Sequence, residues 1–118
     1  MSFYIYTCPC CGLPSLEEPP GCFDVCMVCF WEDDGQTDAN ADRPNNGVNG
    51  EYSLSRAREN FRSHGHMYDQ GRGIPIVESP SRARQALVTY ALDVARGERE
   101  LSPTVLHKLI EAASALDA

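Results

Sequence analysis

The apolar positions of this chain fall into short strand-like runs before residue 31 and into helical spacings after residue 52, with a polar stretch between them. Phe3 to Tyr6 is aromatic and β-branched, which predicts a strand leading into a first pair of cysteines. Phe23 and Val25 alternate and predict a second strand entering a second pair. The segment from Gly12 to Gly21 holds Pro14, Pro19 and Pro20, so it reads as the loop between the pairs. Residues 32–50, EDDGQTDANADRPNNGVNG, combine few apolar side chains with many turn formers and read as a long surface loop.

Beyond that loop the period becomes helical. Ser53 can cap a helix with Leu54, Ala57 and Phe61 on one face and a stop near Gly65. Phe30 and Trp31 offer the apolar surface for Phe61 to meet. Ser79 followed by Pro80 predicts a second start, with Gly97 as the stop and Ala83, Leu87, Tyr90, Ala91 and Val94 facing inward. Ser102 and Pro103 repeat the signal for a last helix, whose face is Val105, Leu106, Leu109, Ile110, Ala113 and Leu116. These two helices should form a hairpin.

With 118 residues there is room for one small domain carrying an appended element. Hydrophobic residues make up 42% and charged residues 23%, a balance that predicts a folded rather than disordered chain. No run reaches the ~18 apolar residues of a membrane span, and MSFYIYTCPC has no basic region ahead of an apolar run, so a cytoplasmic location is expected.

The formal net charge is −7, unevenly spread. Residues 1–42 hold eight acids and no Lys or Arg, while the remainder holds ten basic residues against nine acids. The anionic half argues against nucleic acid, because phosphate contacts supply most of such affinity. It suits a basic protein partner instead.

Six cysteines in a chain expected to sit in a reducing compartment point to metal before disulfides. Cys8 and Cys11 form one CxxC pair, Cys26 and Cys29 another, and fourteen residues separate the pairs. That spacing predicts a closed tetrahedral site for one structural Zn²⁺, because four sulfurs leave no position for water or substrate. Four thiolates can also hold one iron, as in rubredoxin-like sites, which is the less favoured cofactor. Cys10 and Cys22 are left over. Cys10 should point away from the metal as a small residue in a tight turn, and a bond between the two is conceivable under oxidising conditions.

Other motifs carry less. Asp38, Asn40 and Asp42 match the start of an EF-hand loop, but Arg43 and Asn49 stand where glycine and glutamate are needed. His64 and His66 read as an ordinary surface turn and His107 as a helix-surface residue. Arg56, Arg58 and Arg62 lie along one helix, suited to the protein's own acidic half.

The strings CPCCG at 8–12, EPPG at 18–21 and CMVCFWEDDG at 26–35, continued by Asn49, Ser53, Leu54, Ala57, Asn60, Phe61 and Gly65, resemble the cysteine-rich CPCC family of small bacterial proteins, over roughly residues 4–75. The resemblance implies a zinc-binding domain with Cys8, Cys11, Cys26 and Cys29 as ligands, and no assigned reaction. It marks Trp31, Glu32, Asp33 and Asp34 as signature residues of unknown role. It also implies, through an association with bacterial toxin systems, an immunity-type protein. Cys22 and the chain from about Ser79 onward fall outside the pattern.

The expected fold is therefore small α+β: a four-cysteine zinc ribbon on a short β-hairpin, a packed helix, and a C-terminal helical hairpin. Residues 1–75 form the ribbon, acidic loop and first helix, and residues 76–118 the hairpin extension. The expected function is a non-enzymatic interaction module that binds a protein partner, such as a basic toxin, through Trp31, Glu32, Asp33, Asp34, Asp38 and Asp42. A nucleic-acid-associated ribbon and a thiol redox protein are the alternatives.

Overall fold

The computed structural model describes the backbone of residues 4–117 and the side chains of residues 4–115. Phe3 and the side chain of Leu116 lie outside the described residues. Two short strands, β1 (Tyr6–Thr7) and β2 (Pro14–Leu16), are followed by a 3-10 turn at Asp38–Asn40 and four helices: α1 (Leu54–His64), α2 (Pro75–Glu78), α3 (Arg82–Ala95) and α4 (Pro103–Asp117).

The strands pair antiparallel across the first cysteine turn. This corrects the expected pairing, since the partner of the first strand is Pro14–Leu16, inside the segment read as a loop. Pro14 is tolerated because a two-stranded ribbon is all edge and the missing N–H faces no second neighbour. Tyr6 lies opposite Leu16 and Thr7 opposite Pro14, so Ser15 is passed over as a bulge. Phe23 takes a positive φ of 61° and is exposed, and Val25 forms only an isolated bridge with Glu32. The second cysteine pair therefore sits in its own small turn.

Helix α1 starts and stops as its sequence predicts. The Ser53 hydroxyl accepts the Arg56 N–H, and Gly65 closes the helix in the left-handed region at φ 89°. A Cβ at Gly65 would lie 2.3 Å from Cγ1 of Val88 on α3, so glycine there also permits close approach of the two helices.

Helix α3 begins two residues later than expected. Ser81, not Ser79, is its cap and accepts the Arg84 N–H. Ser79 instead ends α2, the short turn of helix that the periodicity did not reveal. Ser79 is taken up by the end of α2, where its N–H donates to the Pro75 carbonyl, which leaves the second serine of SPS, with its extended backbone, as the cap. Ser102 caps α4 as predicted, accepting the Val105 N–H. Val105 itself is exposed, so the buried face of α4 is Leu106, Ile110 and Ala113.

One core runs through both halves. Leu16, Val28 and Trp31 join Leu54, Ala57, Phe61 and Met67, and the same cluster continues into Leu87, Ala91, Leu106 and Ile110. Polar contacts tie the helical hairpin to the cysteine half. Arg84 donates to the Val28 carbonyl, Arg96 to that of Arg62, and His107 Nε2 to that of Pro14. His107, expected on the helix surface, is half-buried with its ring 5.1 Å from Tyr4. Among the described residues no helix is long and apolar enough to cross a membrane.

Candidate metal centre

The two CxxC pairs sit in turns with the same hydrogen bonds. The Cys8 N–H donates to the Leu13 carbonyl and the Gly12 N–H to that of Cys8. In the second turn the Cys26 N–H donates to Trp31 and the Phe30 N–H to Cys26. The fifth position of each turn is left-handed, Gly12 at φ 77° and Phe30 at φ 72°. Glycine takes that conformation freely, whereas a phenylalanine is strained there and must be held by its surroundings. Arg84 supplies part of that hold, with its guanidinium 4.5 Å from the centre of the Phe30 ring.

The paired turns bring the sulfurs of Cys8, Cys11, Cys26 and Cys29 within 4.8 Å of one another, all buried. Cys8 to Cys29 and Cys11 to Cys26 are each 3.7 Å apart. Four sulfurs about 2.3 Å from one tetrahedral ion are spaced about 3.8 Å apart, close to the spacing of these two pairs. The four predicted ligands are thus one cluster that could hold a metal ion.

The bulge gives this cluster a polar neighbour that the sequence did not reveal. Ser15, 1% exposed, places its hydroxyl 3.0 Å from Cys26 Sγ and 3.8 Å from Cys11 Sγ. The N–H groups of Val28 and Cys29 also point at Cys26 Sγ, at 3.4 and 3.5 Å. In the metal-free chain, burial pushes the thiols of Cys8, Cys11 and Cys29 well above the ordinary range. Burial opposes ionisation of Cys26 as well, but hydrogen bonds from Cys11, Cys29, Cys8 and Ser15 outweigh it and hold its pKa well below that of a free thiol. An arriving ion must displace the protons of the buried thiols, which makes binding compete with acid.

Cys10 stays outside the group of four sulfurs, as expected, but is buried beside it. Cys22 is exposed, and neither forms a disulfide.

The signature acids divide by role. Asp33, 3% exposed, accepts the Gly21 N–H with one oxygen and the Gly35 N–H with the other, fastening EPPG to EDDG. Trp31 is fully buried. Neither presents a side chain to a partner, which corrects their reading as surface residues. A buried carboxylate in an acidic string is invisible without knowing where its amide donors lie. Asp34 accepts from Gln36, Asn45 and Asn49. Asp38 pairs with Arg58 and Asp42 accepts from Ser55, so the acidic loop is laced to α1. Arg56 instead pairs with Asp69. Glu32 is half-buried and keeps its carboxylate outside these bonds; its backbone is clasped by Asn49.

His64 and His66 form the tight turn expected of them, but half-buried, with ring centres 4.4 Å apart and ring planes tilted by 58°. His64 Nε2 donates to the Tyr68 carbonyl, and His66 Nδ1 accepts the Tyr68 N–H. The neutral His66 ring therefore carries its proton on Nε2 and has no lone pair left for a metal.

Two facing cysteine turns closed over an ion-sized gap, with helices packed around them, define a small α+β cysteine-cluster protein. The family described as cysteine-rich CPCC matches residues 6–82, and the chain belongs to it. The match runs beyond the signature strings, through α2 to the start of α3. No curated protein and no solved structure matches the chain.

Proposed function

We propose that the four-cysteine cluster holds one structural Zn²⁺, in the manner of a zinc ribbon, and that the chain is a non-enzymatic module for binding a protein partner. The 3.7 Å sulfur spacings support the first half, together with burial of all four sulfurs, which leaves no open coordination position. Zinc bound there supplies folding free energy to a half that has only two short strands of its own. Iron would fit the same sulfurs, and metal analysis with an absorption spectrum separates the two, because zinc is colourless.

The partner reading rests on a groove beside the acidic loop rather than on Trp31 and Asp33. It encloses about 620 Å³ between the second cysteine turn and the Asn49–Tyr52 segment. Val25 and Val48 are exposed on its walls, and Glu32 and Glu51 supply acid at its rim, Glu51 being paired there with Arg72. Exposed apolar side chains framed by carboxylates suit a partner that presents basic residues around an apolar anchor. A basic toxin, with this chain as its cytoplasmic immunity protein in a bacterium, is the partner implied by the family resemblance.

Affinity capture from the source cell's lysate tests this, using metal-loaded wild type and a Val48→Arg variant. A basic protein captured by the wild type and lost by the variant, at equal metal content, supports the reading. Equal capture by both removes the groove from the interface. Salt-sensitive retention on DNA or heparin would favour the nucleic-acid alternative.

A further inference from the structure

The bulge in β2 gives up regular pairing at a single residue. In a regular ribbon successive side chains face opposite sides, so one of Ser15 and Leu16 would turn toward solvent. Both are 1% exposed, because the register passes over Ser15 and re-aims its side chain inward. The segment is held from two directions. Leu16 pairs with Tyr6 across the ribbon, and His107 of α4 donates to the Pro14 carbonyl at 2.9 Å. That carbonyl belongs to the same peptide unit as the Ser15 N–H, so the bond fixes the plane on which the serine stands.

Three acceptors lie near the hydroxyl, which has one proton to give. Cys26 Sγ is at 3.0 Å, the Leu13 carbonyl at 3.3 Å and Cys11 Sγ at 3.8 Å. The Leu13 carbonyl is neutral and already accepts the Cys8 N–H. A metal-bound Cys26 would be a charged acceptor, and it is the nearer of the two, so the serine proton belongs to it. The Val28 and Cys29 N–H groups approach the same sulfur at 3.4 and 3.5 Å. Cys26 thus has donors aimed at it from both sides of the cluster, two from its own turn and one from the ribbon.

Resting on the reading that the cluster holds a divalent metal, we propose that Ser15 is a positioning residue of that site. Its hydroxyl donates to the Cys26 thiolate, draws off part of the sulfur's charge and fixes the sulfur's direction, so that the ion is retained more tightly than by the four cysteines alone. Four thiolates around a divalent ion leave a net charge of about −2 in buried surroundings, which donors at the sulfurs disperse. If the serine only filled space, alanine would serve there with no polar group to bury.

The test uses the full-length chain loaded with Co²⁺, whose absorption bands report on its sulfur ligands, and then Zn²⁺ in competition with a chromophoric chelator. The wild type should show the bands of four-thiolate Co²⁺. Ser15→Ala, which removes one atom, should move the sulfur-to-cobalt charge-transfer band to longer wavelength, because a sulfur that has lost a donor gives up charge more easily. It should also weaken Zn²⁺ binding about tenfold or more. Ser15→Thr keeps the hydroxyl and should stay near the wild type in both measurements. A loss of packing alone would lower unfolding stability without moving the band. A wild type lacking four-thiolate bands would remove the metal reading and this proposal with it. With those bands present, an unmoved band in Ser15→Ala, undiminished Zn²⁺ affinity, or a threonine variant as impaired as alanine would each overturn the role of Ser15 and leave the metal site standing.

Discussion

The cysteine half and the helical hairpin reach stability by different means. Residues 4–50 contain five strand residues and one 3-10 turn, and beside a few buried apolar side chains, among them Leu13, Leu16, Val28 and Trp31, their inward groups are sulfurs, Ser15, Asp33 and Gln36. Helices α3 and α4 instead interleave Leu87, Ala91, Leu106, Ile110 and Ala113. Tyr90 staples their loop: its hydroxyl accepts the Ser102 N–H and donates to the Ser102 carbonyl. A chain segment without enough apolar surface must be held by a few strong, directional contacts, whereas the hairpin spreads its stabilisation over many weak ones. The difference predicts how each half fails.

On the proposed zinc-bound form, removing the metal should have the largest effect. Structural zinc sites contribute roughly 10 kcal/mol or more, so chelation, or Cys26→Ser, should unfold the cysteine half while much of the α3–α4 helicity survives. Far-UV circular dichroism with amide exchange would show this as lost protection before residue 50 and persistent protection in α3 and α4. Simultaneous loss throughout would mean that the shared core makes the halves one cooperative unit.

The converse is Ile110→Ala, at a fully buried position of α4. It should cost about 2–5 kcal/mol in denaturant unfolding and leave metal content unchanged. Metal lost together with hairpin stability would erase the distinction.

Gly65→Ala probes the seam between the halves. It forces a side chain into the left-handed region and against Val88, and should cost about 1–3 kcal/mol. A Gly65→Ala, Val88→Ala double variant should recover part of that loss, since the clash is with a side chain.

The smallest effect concerns pH. Burial, then the neighbouring His64, lowers the His66 pKa from 6.5 to about 4. The unfolded chain therefore takes a proton at higher pH than the folded one. This contribution to stability is complete above pH 6.5 and is lost as pH falls toward 4. Subtracting the stability–pH curve of His66→Gln from that of wild type isolates it; a flat difference would show that His66 titrates alike in both states.

The cysteine ligands, the caps Ser53 and Ser102, and the inward faces of α1 and α3 were legible because each rests on spacing along the chain. What escaped depends on partners far away in sequence. Pro14–Leu16 is too short and too proline-rich to read as a strand, and only its pairing with Tyr6–Thr7 makes it one. Asp33 looked solvated beside Glu32 and Asp34, yet the amides of Gly21 and Gly35 draw it inside. Ser79 and Ser81 both precede plausible helix starts, and the choice between them depends on α2, which sequence periodicity cannot detect in four residues. Arg84 has an exposed residue's chemistry but a buried residue's place, fixed by a carbonyl from the second cysteine turn.

Trp31 is the chain's one tryptophan, fully buried two residues beyond Cys29, and its indole N–H has no hydrogen-bond partner among the described residues. An indole so enclosed emits at short wavelength, and one released into water emits at longer wavelength. The protein thereby carries an optical gauge of whether an ion fills the cysteine cluster, readable without label while a metal is added or withdrawn.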